Sequence, residues 1–280
     1  MNLITKSYFL LSYGLLFTFL ATANTPTTAR VDNESKINYI QKTENAPKID
    51  GVLDDEIWQN LPAMTNFATF EPEVGKKPSQ KTEVKIAYDN SSIYVAAYMY
   101  DTNPENIQRQ LGLRDSWGGG NFAMLDINAD YFGIFLDTYH DKQNAFGFVV
   151  TASDVQNDAR FTLQNQDNSW NAVWYSKAKI VEDGWIVEMA IPYGALRFSE
   201  KEVQNWGVGL IRQVRNLRER SMWSAFDPTE NGFANQFGVL EGLKDIQPPL
   251  RLSVTPYVST YYQRYTCLLY TSPSPRDAIP

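Results

Sequence analysis

Thr82 to Tyr100 reads TEVKIAYDNSSIYVAAYMY. In its first half Val84, Ile86 and Tyr88 alternate with Glu83, Lys85 and Ala87, the two-residue period of a strand with one buried face. Asp89-Asn90-Ser91 follows, and short side chains that hydrogen-bond their own backbone favour a turn there. Ser92 to Tyr100 then resumes an apolar run, so the stretch is predicted to be a β-hairpin. Working outward, Tyr131 to Thr138 (YFGIFLDT) and Ala145 to Thr151 (AFGFVVT) repeat the pattern around a polar link and predict a second hairpin. Further strands are expected at Asp158 to Leu163, Ala172 to Ile180, Gly184 to Ile191, Trp206 to Val214, Ser221 to Phe226 and Gln236 to Leu240. Glu182-Asp183-Gly184 is a hairpin turn signal, since Asp-Gly supplies the positive φ a tight turn requires. Helix signals are few: Leu53 to Asn60, with Asp54 as N-cap, Pro104 to Leu111, and a turn at Tyr193 to Leu196. Short strands at close spacing predict an all-β fold, an antiparallel β-sandwich of roughly ten strands with few short helices.

Composition narrows the chemistry. The 280 residues carry 25 Lys and Arg against 32 Asp and Glu, a net charge of -7 that repels a phosphate backbone, so no nucleic-acid partner is expected. One His and one Cys exclude a His/Cys metal cluster, a Cys/His nucleophile pair and an internal disulfide. Any metal is therefore expected to be a hard cation held by oxygens. No pair of carboxylates is marked out for glycoside hydrolysis, and His140 sits in a polar turn.

The two ends differ from the middle. Met1 to Ala23 has a lone Lys6, an apolar stretch from Tyr8 to Leu20 and Ala21-Thr22-Ala23, the small-x-small pattern of a signal peptide, which predicts export to the periplasm or outer membrane. A spanning helix is the alternative, and the apolar stretch falls short of the roughly 20 residues it needs. Residues 24–35 read as a polar linker. A β-domain is expected over residues 36–247, because Pro248 and Pro249 cannot donate to a central sheet. Leu250 to Tyr265 alternates again and ends in a cluster of tyrosines. It suits the first strand of an outer-membrane barrel, placed at residues 248–266, or equally one more sandwich strand. Cys267 to Asp277, CLLYTSPSPRD, resembles a translated sequencing-library adapter, so residues 267–280 are expected to be foreign to the protein.

Lys48 to Trp58 reads KIDGVLDDEIW: Gly51 permits a turn, Asp54 caps a short helix, and Ile57 with Trp58 gives that helix an apolar face. At these residues the chain resembles the family 9 carbohydrate-binding modules. The resemblance continues through Val84 to Tyr88, Ile93-Tyr94-Val95, Phe135-Leu136-Asp137, Gly184 to Glu188, Ile191-Pro192 and Phe237-Gly238, covering Ile37 to Leu243. It is closer still to the version that forms the N-terminal domain of exported outer-membrane proteins ending in a β-barrel. Leu136 to Asp141, Asn144 to Phe148, Val155 to Asp158, Asn168 to Trp174, Leu196 to Phe198 and Gln247-Pro248-Pro249 carry that likeness. The resemblance implies a sandwich that stacks a saccharide between two Trp while polar side chains read its hydroxyls. Here the clamp positions fall near Ile127 and Phe233, and a sugar-reading Glu is replaced by Gly133.

Other aromatics are candidates to replace the clamp. Trp117 stands in Arg114-Asp-Ser-Trp-Gly-Gly-Gly120, a glycine-rich loop expected to present its ring, and Trp170 and Trp174 flank the start of a strand, with core packing as the alternative. The expected ligand-binding residues are thus Arg114, Trp117, Trp170, Trp174 and Phe233. Trp58, Trp185, Trp206 and Trp223 lie in regular elements and are expected in the core. Asp137 and Asp141, with Asp154 and Asp158 on a neighbouring loop, offer four carboxylates for structural Ca²⁺, which the resemblance also implies; solvated turn acids are the alternative. Arg212, Arg215, Arg218 and Arg220 form a basic run, suited either to an anionic glycan or lipopolysaccharide or to a solvated hairpin.

Together these features predict a non-catalytic carbohydrate-binding-like domain of an exported outer-membrane protein, linked to polysaccharide catabolism. Its expected partners are a polysaccharide or oligosaccharide and its own C-terminal barrel. The alternatives are a glycoside hydrolase-associated enzyme, and a gating or assembly domain of the barrel without a sugar ligand.

Overall fold

The computed structural model describes residues 36–118, 125, 127–163, 165–248 and 255–264. The expected leader, the linker and the adapter-like tail lie outside the described residues. The described chain runs β1 (Ile37–Tyr39), β2 (Gln41–Lys42), the helix α1 (Glu56–Asn60), β3 (Ala68–Glu71), β4 (Thr82–Tyr88), β5 (Ser92–Tyr100) and β6 (Tyr131–Asp137). It continues through β7 (Ala145–Thr151), β8 (Gln156–Phe161), β9 (Gln166–Asp167), β10 (Tyr175–Val181) and β11 (Gly184–Pro192), then β12 (Val203–Val214), β13 (Glu219–Met222) and β14 (Gly238–Lys244).

These strands form two sheets, the β-sandwich expected from the alternation. The larger is ordered β1-β14-β12-β6-β7-β8-β9, with β13 and β3 branching from β12, and the smaller is β10-β11-β5-β4-β2. Pairings are antiparallel except β1 with β14 and β2 with β4, where the first two strands tie one sheet each. Both predicted hairpins form: Thr82 pairs with Met99 through Tyr88 with Ile93, and Tyr131 pairs with Thr151 through Leu136 with Phe146. Residues 255–264 belong to no regular element and are exposed, so the described part of the alternating tail joins neither sheet.

One expectation about β6 and β7 is corrected. Their alternation suggested one wet face, yet every residue of both strands is buried. Phe132, Ile134 and Leu136 face the smaller sheet and join Val84, Ile86, Val95 and Trp206 in the central core. Tyr131 and Phe135 point to the other side, into a second core with Ile127, Val149, Phe161, Phe233 and Phe237. Strands covered on both faces carry near-continuous apolar runs, which YFGIFLD and AFGFVVT are. Trp58 and Leu61 pack with Ala87, Tyr94 and Ala96 on the outer face of the smaller sheet.

Helix bounds also shift. The expected Asp54 cap does not occur, because α1 starts later, with Asp55 at the N-cap position making no cap bond. The Asp55 carboxylate instead accepts from the Lys48 backbone N–H at 3.2 Å. Of Pro104 to Leu111 only a turn at Pro104–Asn106 is helical. Backbone donors beyond it bond sideways: Gln110 N–H to Asn128 at 3.2 Å, and Asp130 N–H to Gln108 at 2.8 Å. Gly184 opens β11 rather than occupying the hairpin turn, and a Cβ there would lie 2.1 Å from the Met99 carbonyl oxygen, so close approach between strands explains the glycine. Nor is the basic run solvated throughout. Arg212 is buried, its guanidinium donating to the carbonyls of Lys81 and Tyr100 at 2.7 Å each, and Arg220 is buried beside Glu71.

Candidate ligand-binding site

Three of the five predicted ligand-binding residues, Arg114, Trp117 and Trp174, meet at the β8 residue Asp158. Its side chain is fully buried. The Arg114 guanidinium and the Trp174 indole N–H, the latter at 2.9 Å, donate to one carboxylate oxygen, and the Ala172 backbone N–H donates to the other at 2.9 Å. The segment 114–117 lies along β8. Asp115 N–H reaches the Gln156 carbonyl at 3.3 Å, the Asp115 carboxylate accepts from Asp158 N–H at 2.8 Å, and the Trp117 indole donates to the Asp158 carbonyl at 3.0 Å. Burial pushes the Asp115 carboxyl above its ordinary range. Arg114 also bonds Gln156 at 2.6 Å, Asn171 at 3.3 Å and the Ala172 carbonyl at 2.9 Å, so one guanidinium ties loop 109–118 to the loop that carries Trp170.

Each predicted aromatic has a distinct position. Trp117 is half-buried, edge-on to Phe161 at 6.0 Å, which corrects the expectation of a freely presented ring. Trp174 is buried against Phe148 at 5.3 Å with its N–H engaged by Asp158. Phe233 is only 3% exposed and packs on Phe135 and Phe237 at 5.0 and 4.9 Å, so its ring faces are taken by the second core. Trp170 is the exception. It is half-buried, backed by Phe146 at 5.3 Å and Phe148 at 5.8 Å, and its indole N–H has no acceptor among the described residues. Trp58, Trp185, Trp206 and Trp223 are all core residues, as expected.

The clamp positions implied by the resemblance are filled from within. Ile127 and Phe233 are both buried in the second core. At Gly133 even a Cβ would meet Val149 at 2.8 Å and Phe135 at 3.1 Å, so no glutamate fits there without displacing the core. This face of the larger sheet is packed rather than open.

The four candidate calcium ligands do not form one set. Asp137 accepts from the backbone N–H groups of Asp141 and Lys142 at 3.2 and 2.7 Å. Asp141 accepts from those of Gln143 and Asn144 at 2.8 and 2.9 Å, an Asx-type turn. Asp154 holds Lys177 at 2.6 Å and the Ala178 N–H at 2.7 Å, capping the free edge of β10. Asp158 is enclosed by Arg114 and Trp174. Among the described residues no three His, Cys, Asp or Glu side chains gather to hold a metal. These donors therefore do not fit a shared Ca²⁺, which needs several oxygens converging on one point.

Sequence reasoning missed Gln156 and Asn171 as members of this cluster. Both fall in strings already noted for their likeness, Val155 to Asp158 and Asn168 to Trp174, but only the fold shows that Arg114 joins them. It also missed Glu188, which is fully buried and accepts from the N–H groups of Asp50, Gly51 and Val52 at 3.0, 2.7 and 3.3 Å and from the Trp58 indole at 2.9 Å. The motifs KIDG, W and GWxxE are thus one structural device.

Comparison with known proteins agrees with this architecture. The profile of the carbohydrate family 9 binding domain-like family matches residues 49–244. Among solved structures, a family 9 carbohydrate-binding module from Caldicellulosiruptor kristjanssonii in complex with cellotriose is 19% identical with a TM-score of 0.50, covering 80% of this chain and 100% of that one. The same kind of module from that organism in complex with glucose is 19% identical, TM-score 0.51, over 79% of this chain and 100% of that chain. A Bacteroides uniformis protein is 11% identical, TM-score 0.57, over 76% of this chain and 100% of that chain. These likenesses concern the fold. No curated protein matches the chain.

Proposed function

The chain belongs to the carbohydrate family 9 binding domain-like family, and from that premise we propose that it is a non-catalytic carbohydrate-binding domain whose sugar contact is the rim around Trp170. The observation that carries this reading is the Trp170 indole itself: backed by Phe146 and Phe148, half-exposed, and with an unengaged N–H. A sugar's C–H face packs on an aromatic ring while its hydroxyls accept from N–H donors. Asn171, the next residue in the chain, has its amide oxygen held by Arg114, which leaves its N–H₂ group as a second donor on this rim. The modules in complex with cellotriose and glucose support a neutral sugar as ligand. The small-x-small end of residues 1–23 supports export to the periplasm or outer membrane, and the alternating run after Pro249 supports attachment to a C-terminal barrel. In that setting the domain would hold polysaccharide fragments for catabolism.

Titration of the chain with cellotriose tests this. Trp170→Ala is expected to weaken binding about thirtyfold, the effect of a binding hot spot worth about 2 kcal/mol, while the chain stays folded. A folded Trp170→Ala variant with unchanged affinity would remove the site. A second reading, a gating or assembly domain of the barrel with no sugar ligand, is favoured by the buried Ile127 and Phe233 at the clamp positions. Failure of the unaltered chain to retain any oligosaccharide would promote it.

A further inference from the structure

A second cleft, of about 940 Å³, lies at the other end of the sandwich, between the start of β3, the loop into β4, the end of β5 and the β10–β11 turn. Trp170 precedes the start of β10 while this cleft meets the end of it, so the two are separated by seven residues of strand, roughly 20 Å. We propose that this cleft is a separate binding site for a neutral oligosaccharide. The inference rests on the carbohydrate-binding reading above and adds to it a second location and a ligand class.

The walls are fixed before any ligand arrives. Tyr100 N–H donates to the Lys81 carbonyl at 3.0 Å, Asp101 N–H to the Asp183 carbonyl at 2.9 Å, and Thr102 N–H to the Gln80 side chain at 3.1 Å. From beneath, Arg212 holds the carbonyls of Lys81 and Tyr100, and Glu219 accepts from Ser79 N–H at 3.0 Å to pin the loop. A site that needs no ordering on binding keeps more of its contact energy. Its volume lies near the top of the ~300–1,000 Å³ range of small-molecule sites, which suits several sugar rings rather than one.

The lining has the right chemistry. Ala68 and Pro78 supply apolar surface, with the largely buried Phe67 behind them. The Tyr100 ring on the cleft wall is fixed by stacking on Tyr98, whose centroid is 4.4 Å away, and by the Lys81 ammonium over it at 4.8 Å. Lys76, Lys77 and Lys81 are balanced by Glu83, Asp101 and Asp183. With the two signs balanced, the lining offers an anion no net attraction, and the chain as a whole stands at -7. A neutral ligand needs no charge complement and still finds donors: the Asn66 amide and the Lys77 ammonium have no side-chain partner among the described residues.

The test uses calorimetric titration of the full chain with cellotriose, xylotriose and the anionic trigalacturonate. In a Trp170→Ala background, one neutral trisaccharide is expected to keep a residual binding event, and adding Asn66→Gly with Lys77→Ala is expected to weaken it at least tenfold. Glycine is chosen at 66 because that residue has φ near 60°. Loss of all binding in Trp170→Ala alone would overturn the second site while leaving the carbohydrate reading intact. Residual binding indifferent to the cleft substitutions would do the same. Tighter binding of trigalacturonate than of either neutral sugar would overturn the ligand class. An unaltered chain that binds no sugar would bring down the reading and the inference together.

Discussion

Glu188 and Asp158 are both fully buried carboxylates that fasten a tryptophan and a loop to a sheet, but they do it with different donors. Glu188 is met by neutral groups alone: three successive backbone N–H groups and the Trp58 indole. Burial raises its pKa, and those donors draw it back part of the way. Asp158 is met by Trp174, one backbone N–H and a cation, Arg114, whose other bonds reach out to the surface. The first arrangement is closed on itself and positions α1. The second is tethered to a solvent-facing guanidinium and positions Trp170. One carboxylate therefore fixes the fold and the other fixes the rim proposed to meet sugar.

The largest expected effect is on the closed side. Trp58→Ala removes a buried indole and the one side-chain donor to Glu188, so it should cost about 3–5 kcal/mol, read as a lower urea midpoint. Trp174→Ala should cost less, because Arg114 remains on the same Asp158 oxygen. A Trp174 variant less stable than the Trp58 variant would invert the comparison.

A third buried carboxylate shows what happens with neither solution. Asp130 accepts from Arg215 N–H at 2.9 Å through one oxygen, and its other oxygen has no hydrogen-bond partner. Burial pushes its pKa up to about 6, against the pull of the Arg215 N–H and the nearby Arg212 charge, while Asp101 adds to the rise. The folded chain thus keeps a proton that the unfolded chain releases at its ordinary, lower pKa. Stability contributed by this group is present below about pH 4 and is lost as pH rises towards 6, a change of about 3 kcal/mol. Urea unfolding at pH 4.5 and 7 should show this fall, and Asp130→Asn should flatten it. An unchanged slope in Asp130→Asn would mean that the proton sits elsewhere.

The same contrast explains what could be read from the chain. The Glu188 device is spelled mostly by one contiguous string, Lys48 to Trp58, and strands such as Thr82–Tyr88 and Ser92–Tyr100 have the bounds their alternation predicted. The Asp158 cluster is assembled from residues 114–117, 156–158 and 170–174, and no local pattern says that two loops converge on β8. Trp117 looked free because Gly118 to Gly120 follow it, yet its N–H caps the edge of β8. Phe233 gave no burial signal of its own, since its core is completed by Phe135, Phe161 and Phe237 from distant strands. Aspartates in turns read as metal ligands for a related reason: sequence shows the carboxylate, but not the backbone N–H groups that occupy it.

The smallest expected change lies at the tethered carboxylate. In Asp158→Asn an amide N–H₂ must take the place of one oxygen. Facing Arg114 and Trp174, it would set donor against donor; turned the other way, it would oppose the Ala172 N–H. Either orientation leaves a buried donor unpaired, which costs about 1–3 kcal/mol. The loss stays below that of Trp58→Ala because no cavity forms and Arg114 is partly solvated, with 38% of its side chain exposed. Its effect on ligand should be larger than its effect on the fold. With the guanidinium released, Asn171 and the Ala172 carbonyl lose their tie, and the loop carrying Trp170 is no longer held to loop 109–118. Cellotriose affinity measured beside the urea midpoint separates the two effects: a variant that loses stability yet binds as tightly as the unaltered chain would show that Asp158, like Glu188, serves the fold alone.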